Sequence, residues 1–513
     1  MNLRIHPVML FSRLKKFLFL LLLPVATGMI RFFLTGQFPN ILLTELALLL
    51  ALLCYSFLEW KSCRLQTEER GIFICKGFLF RRQAELPRRE ITSVTLRRSP
   101  IDQLCGASSI RFDTEAGGKK RADFELYLWK RDAERLLREL SGEEKRSGTA
   151  TLPETLFTAF SASRATTGLL LAAPVVKMLG SLAGRAFTDR LYHAFQFAAA
   201  RAADYIPQAA SAAAVLLLAG WSVSFLILCV RYARFRVART GQGYLVTRGI
   251  FTRRSIFIRG EKVSAVLCTQ SFLMRLLGLE EVQICTAGYG KEKGETTVLL
   301  PVMRRRKMQV WRGRFLESFR EPEREMSPLG RALMGYILWP LIFLGAGLLL
   351  TCTAGFFTFF EETIRFAGAV FLFAGFIRLW VKLLAWRSSG LAQTSRGLLL
   401  CSYGRGRFYR VWIAARHLAS AEVSQSLFQT FGGICSVFVS PWSESGVRYR
   451  CRGLEAEKAE NRFAPSPHAF LRKRRSAGRQ RKLWPPGAGM GESKKNREKA
   501  LPELKGNDYP GRR

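Results

Sequence analysis

Histidine is scarce in this chain: four in 513 residues, at His6, His193, His417 and His468, none near another in sequence. That excludes a local histidine metal cluster, and no Gly-x-Ser-x-Gly elbow or His-Glu-x-x-His stretch occurs to build hydrolytic chemistry around. Acid is short as well. Asp plus Glu total 39 against 79 for Lys plus Arg, a net charge of +40. Eleven cysteines stand singly, with no Cys-x-x-Cys, so zinc-ligand spacing is absent. Cys75, Cys268, Cys285 and Cys401 lie in apolar strand-like runs and read as small buried hydrophobes in a reducing compartment. Gly117-Gly118-Lys119-Lys120 and Gly288-Tyr289-Gly290 lack the Ser/Thr continuation of a phosphate loop and read as turns between strands. The chain is therefore expected to be no enzyme, with no catalytic residues, metal or cofactor.

Apolar residues make up 49% of the chain, too many for disorder, and they are gathered into long runs. A bilayer-spanning helix needs about 20 mostly apolar residues. Six segments read as spans, at 17–34, 39–58, 166–184, 206–230, 332–358 and 366–384. The first is no cleavable signal peptide: it runs on through Pro24 and Arg31, and a second span follows directly. Short links at 35–38, 185–205 and 359–365 pair the spans into three hairpins, 17–58, 166–230 and 332–384. Lys and Arg crowd the long segments and the span ends facing them, among them Lys15, Lys16, Lys61, Arg231, Arg234 and Arg387. The positive-inside bias then places residues 1–16, the C-terminus and every long segment in the cytoplasm of a multi-pass cell-membrane protein.

Self-comparison shows a repeat. Gly71-Ile-Phe-Ile-Cys-Lys-Gly77 through Arg81-Arg82 aligns with Gly243-Tyr-Leu-Val-Thr-Arg-Gly249 through Arg253-Arg254 at an offset of 172, without gaps to Gly106/Gly278. A looser third copy follows at an offset of 155, where Gly404, Ile413, Gln425-Ser-Leu-Phe and Gly433 meet Gly249, Ile258, Gln270-Ser-Phe-Leu and Gly278. Each hairpin's first span carries a proline, Pro24, Pro174 or Pro340, so the unit is hairpin plus module. The modules fall at 64–145, 236–320 and 390–461, the last degenerate, and a basic tail at 462–513 reads as disordered. Within module 1, Gly71–Phe80 reads as a β-hairpin, strands follow at Glu90–Arg97, Ser108–Thr114 and Arg121–Tyr127, and Ala133, Leu136, Leu137 and Leu140 have helical spacing in Arg131–Leu140. The matching helices are read at Arg304–Phe319 and around Gly453–Asn461. The expected fold is six α-helical spans plus three β-rich modules, each a small barrel or bent sheet capped by a helix.

A strand, glycine turn and strand ending in Arg-Arg, the Leu86-Pro87 step, the Gln-Ser-apolar-apolar segment and the opening Arg4-Ile-His6-Pro7 together resemble the bacterial pleckstrin-homology (PH)-like membrane family, in its three-module YdbT-like branch. The resemblance implies a seven-stranded bent barrel with a C-terminal helix at the inner membrane face, and no catalytic residues.

Two groups of residues stand out. Cations cluster at each module's first hairpin: Lys76, Arg81 and Arg82; Arg248, Arg253 and Arg254; Arg405, Arg407 and Arg410. Near an anionic leaflet each contributes on the order of 1 kcal/mol, so they are the lipid-contact candidates, against the plainer reading of solvated topology signals. Five ionisable residues lie inside spans: Arg31 and Glu45, at similar depth either side of Gln37; Lys177, with no evident partner; and Arg378 and Lys382, close enough to the cytoplasmic end to snorkel. The expected function is a non-enzymatic membrane-surface scaffold for protein partners, a second copy of the chain (homo-oligomer) or anionic lipids, without nucleic acid. The alternative is a transporter or export component with a pathway through the six-helix bundle.

Overall fold

In each module two three-stranded antiparallel layers are followed by a helix. The computed structural model describes residues 2–10, 40–68, 70–77, 81–114, 124–163, 185–203, 207–286, 297–316, 323–357, 360–394, 397–442, 447–463 and 481–483. Module 1 takes strand β1 (Asn2–Arg4) from ahead of its helix α1 (Asn40–Ser62), then runs β2 (Arg64–Thr67), β3 (Gly71–Lys76), β4 (Arg82–Pro87), β5 (Ile91–Arg98), the short α2 (Pro100–Leu104), β6 (Ala107–Thr114), β7 (Phe124–Trp129) and α3 (Lys130–Ser141). Ala133, Leu136, Leu137 and Leu140 of α3 are buried, the stripe that the spacing predicts.

Module 2 repeats this plan. Strand β8 (Glu144–Thr149) precedes α4 (Leu152–Ala162), α5 (Arg185–Ala203) and α6 (Gln208–Tyr232). Then come β9 (Arg236–Thr240), β10 (Gly243–Arg248), β11 (Arg253–Arg259), β12 (Val263–Ser271), the short α7 (Phe272–Leu276), β13 (Leu279–Thr286), β14 (Thr297–Arg304) and α8 (Arg305–Phe315). Module 3 follows α9 (Leu333–Thr353) and α10 (Glu361–Ser388) with β15 (Gly390–Thr394), β16 (Gly397–Gly404), β17 (Arg407–Ala414), β18 (Leu418–Ser424), the short α11 (Leu427–Phe431), β19 (Ile434–Pro441), β20 (Tyr449–Glu455) and α12 (Ala456–Phe463).

The modules are not beads on a string. Strand β5 of module 1 pairs antiparallel with β11 of module 2, and β12 of module 2 with β17 of module 3, so two sheets run across module boundaries. Both junctions share one register: Ile258 faces Ser93, and Ile413 faces Ala265, positions related by the same offsets of 155 and 172. The cores are shared too. Phe257 is buried among the residues of module 1, while Ala265, Leu267 and Cys285 are buried among those of module 3. At the chain's far end the equivalent strand β18 pairs instead with a three-residue strand, β21 (Arg481–Leu483), with Lys482 opposite Glu422.

Several expectations need correction. Of the six expected spans, three coincide with described helices long and apolar enough to cross a membrane, Ala210–Tyr232, Gly330–Phe356 and Glu361–Ser388. The segments 17–34 and 166–184 lie outside the described residues, and 39–58 falls on helix α1. The link 185–205 is largely the 19-residue helix α5, since its alanines and long straight side chains are good helix formers. The module 3 helix starts at Ala456, because Gly453–Glu455 continues β20. Strand β21 falls within the tail expected to be disordered. The seventh strand of modules 1 and 2 comes from ahead of the hairpin: β1 pairs with β2 and β8 with β9, while Met326 bridges to Leu391 in module 3.

Candidate functional site

Strand β20 carries Tyr449 and Cys451 inward, so Arg450 and Arg452 project from the other face, in line with Arg448 just before the strand. That face meets the ends of the three spans. Between them lies a cavity of about 1000 Å³, lined by Ser224, Ile227, Leu228 and Arg231 of α6, Gly335 and Tyr336 of α9, Lys382 of α10, the β16–β17 hairpin and the Arg448–Arg452 strip. Seven cations line it: Arg231, Lys382, Arg405, Arg407, Arg448, Arg450 and Arg452. Among the described residues no acidic residue does.

Two of the seven are neutralised from behind. Arg407 Nη1 lies 3.3 Å from Glu281 Oε2 and its Nη2 donates to Ser161 O at 2.9 Å; Arg448 Nη1 lies 3.4 Å from Glu422 Oε2. Burial pushes the Glu281 carboxyl above its ordinary pKa, against the pull of Arg407. Arg450 stacks over the Phe438 ring at 5.0 Å and donates from Nη2 to Ser436 Oγ, leaving a buried Nε with no acceptor among the described residues. Burial, and next to it Arg452, lower the Arg450 pKa, the signature of a desolvated cation beside a like charge. Lys382 Nζ sits over the Tyr403 ring at 5.1 Å. The Tyr336 hydroxyl donates to Arg452 O at 3.0 Å, fixing the strand to α9, and the Tyr409 hydroxyl donates to Arg450 O at 3.2 Å. Arg405 reaches the rim from a two-residue turn in which it and Gly406 both have positive φ, 52° and 79°. That is the turn type whose twist suits a tight hairpin.

The nine hairpin cations do not converge. Arg405 and Arg407 enter the cavity, whereas Arg410 pairs with Glu280 at 3.0 Å across the junction between modules 2 and 3. Arg248 lies over the Tyr232 ring at 5.0 Å, at the end of α6. Arg253 and Arg254 face Arg98 and Arg97 across the first junction, and Arg81 is exposed. The side chains of Lys76, Arg82 and Glu45 lie outside what the structure describes, as do Arg31 and Lys177. Reading the hairpins alone missed the alternation Arg448-Tyr-Arg450-Cys-Arg452, a period-two cationic strip that was the available signal.

An electropositive cavity with apolar span residues as one wall defines a class: a membrane protein whose bent β-modules work against the ends of its spans. A family model described as Bacterial PH domain matches residues 17–144 and 192–315, which takes in modules 1 and 2 but a little under half of the chain. Module 3 lies outside both matches but repeats their strand order. The chain is 25% identical over 239 residues to the UPF0699 transmembrane protein YdbT of Bacillus subtilis (strain 168), a match covering 45% of this chain and 46% of that relative. It thus spans about half the relative's length. No solved structure matches.

Proposed function

We propose that this chain is a non-enzymatic platform of the cell membrane, multi-pass with both termini cytoplasmic, that holds an anionic phospholipid headgroup in the cavity between module 3 and the span ends. The observation that carries this reading is the imbalance there, seven lining cations against two carboxylates behind them. A phosphodiester accepts paired N–H bonds from guanidinium groups in a geometry that Lys cannot match. The volume is that of a small-molecule pocket, and Ile227 and Leu228 offer an apolar wall along which acyl chains can leave toward the bilayer. Protein partners then dock on the joined sheets, whose position the bound lipid helps to fix.

The test is lipid retention. The full chain is reconstituted in phosphatidylcholine containing phosphatidylglycerol, re-extracted in mild detergent and assayed for bound lipid. Wild type is expected to retain phosphatidylglycerol over phosphatidylcholine, and Arg405→Ala/Arg452→Ala to lose that preference. Equal retention by both proteins would remove the cavity from the proposal.

A further inference from the structure

Three short helices at one repeat position break the usual rule of polar side chains outward. In each, a serine caps the N-terminus through its side chain, Ser99, Ser271 or Ser426, and a glycine of positive φ closes the turn, Gly106, Gly278 or Gly433. Between them the pattern is inside out. The third helical residue points inward: Asp102 and Met274 are buried, and Gln429 donates to Ser436 Oγ. The outward positions are large and apolar three times over: Ile101 and Leu104 at 59% and 89% exposure, Leu273 and Leu276 at 51% and 72%, Phe428 and Phe431 at 89% and 91%. One exposed leucine needs no explanation, but an apolar residue at two equivalent positions of all three copies does.

Two of them, α7 and α2, have the spans for neighbours. Phe272 of α7 packs against the cluster formed by Tyr336 of α9, Val381 and Ala385 of α10 and Phe408 of β17. The Ser161 hydroxyl donates to Met274 Sδ at 3.2 Å, and the adjoining Phe160 meets the Trp221 ring edge-on at 5.3 Å. Trp221 stands eleven residues before the end of α6, about 16 Å along the helix. In α2 the Gln103 side chain donates to the backbone of Phe251, whose neighbours Ile250 and Gly249 bond to Val230 and Ala233 at the end of α6.

We propose that these three helices are membrane wedges: α2, α7 and α11 press their paired apolar side chains into the headgroup–acyl boundary of the bilayer that the spans cross. Apolar side chains at the edge of a span-anchored module enter that boundary by ~5–10 Å, as amphipathic interfacial helices do. The wedge orients each joined pair of modules on the leaflet. It needs no anionic lipid, so it stands or falls apart from headgroup capture by the cavity.

Cys105, exposed and next to Leu104, is a built-in probe site. In the full chain with the other exposed cysteines removed, Cys54→Ser/Cys352→Ser, Cys105 is labelled with an environment-sensitive fluorophore and the protein reconstituted in pure phosphatidylcholine. A second protein carries the label at Leu276→Cys with Cys105→Ser added. A third carries it at Glu90→Cys with Cys105→Ser, in the exposed turn at the opposite end of module 1. Doxyl-labelled phosphatidylcholine should quench about half or more of the emission of the first two probes, while aqueous iodide quenches only the Glu90 probe, as interfacial burial requires. Iodide quenching of Cys105 and Leu276→Cys to the level of the Glu90 probe would overturn the wedge. Quenching by doxyl lipid that appears only once phosphatidylglycerol is added would also overturn it.

Discussion

Phe257 lies opposite Val94: a side chain from the second module completes the core of the first. Stability is therefore shared across the boundary, and an apolar deletion at this one position should be felt on both sides. Phe257→Ala removes a fully buried ring and is expected to cost about 3–5 kcal/mol, as large-to-small core changes do. Proteolysis under increasing denaturant should show modules 1 and 2 becoming cleavable together. Phe251→Ala, in the exposed hairpin of the same module, should stay within about 0.5 kcal/mol of wild type.

The third module should be labile to alkali. Burial pushes the Cys285 thiol up to about 11 and the Cys451 thiol up to about 12, both in the shared core of modules 2 and 3. An unfolded cysteine ionises near about 8.5. In the window between these values the folded state holds protons that the unfolded state has lost, so stability is full below about 8.5 and falls as pH rises, by about 1.4 kcal/mol per unit per thiol. Denaturant midpoints followed from pH 8 to 10.5 should drop steeply in wild type (~2 units of the window), and more gently in Cys285→Ala/Cys451→Ala.

Much of this was legible because it is local. The first strand of the hairpin read at Gly71–Phe80, the stripe Ala133–Leu140 and the 172-residue offset depend on period and turn chemistry alone and appear in the structure, though the hairpin's second strand runs over Arg82–Pro87, beyond the stretch expected for it. The joining of β5 to β11 was not legible, since strand pairing across modules leaves no periodic mark and both edges read simply as strands. The cavity was half legible. Arg405 and Arg407 belong to the hairpin that the repeat singles out, but Arg450 and Arg452 lie on a strand, and Arg448 just before it, without a counterpart cation pattern in the other copies. Lys382 depends on how the span end meets β16–β17, which no local rule fixes. The link 185–205 shows a limit of composition: a segment rich in helix formers becomes helical itself.

Glu280 holds the second junction. Its carboxylate, almost fully buried, receives Arg305 Nε at 2.9 Å and Arg410 Nη2 at 3.0 Å, the latter from module 3, and Gln270 Nε2 donates to it at 3.2 Å. Glu280→Ala strips the shared partner from two arginines and should cost about 3–5 kcal/mol. Arg410→Ala leaves Arg305 and Gln270 in place and should cost only about 1 kcal/mol. Both should lower the denaturant midpoint without altering phosphatidylglycerol retention. A loss of retention in Arg410→Ala at unchanged stability would instead return that arginine to the lipid contacts.

Arg450 offers the sharpest separation of fold from function. Its guanidinium is half-buried, its Nε lacks an acceptor among the described residues, and Arg452 repels it from the next outward position of the strand. Such a group is held at a cost to the empty protein and is repaid only when an anion arrives, the usual tension between a binding site and stability. Arg450→Met keeps the apolar stem over Phe438 and removes the charge. In detergent free of anionic lipid its unfolding midpoint should equal or exceed that of wild type, by no more than about 1 kcal/mol since water screens a half-exposed charge. Added phosphatidylglycerol should stabilise wild type more than the variant, because a ligand that binds only the folded state stabilises in proportion to its occupancy. A variant less stable than wild type in the absence of lipid would mean that Arg450 serves the packing of β20 instead.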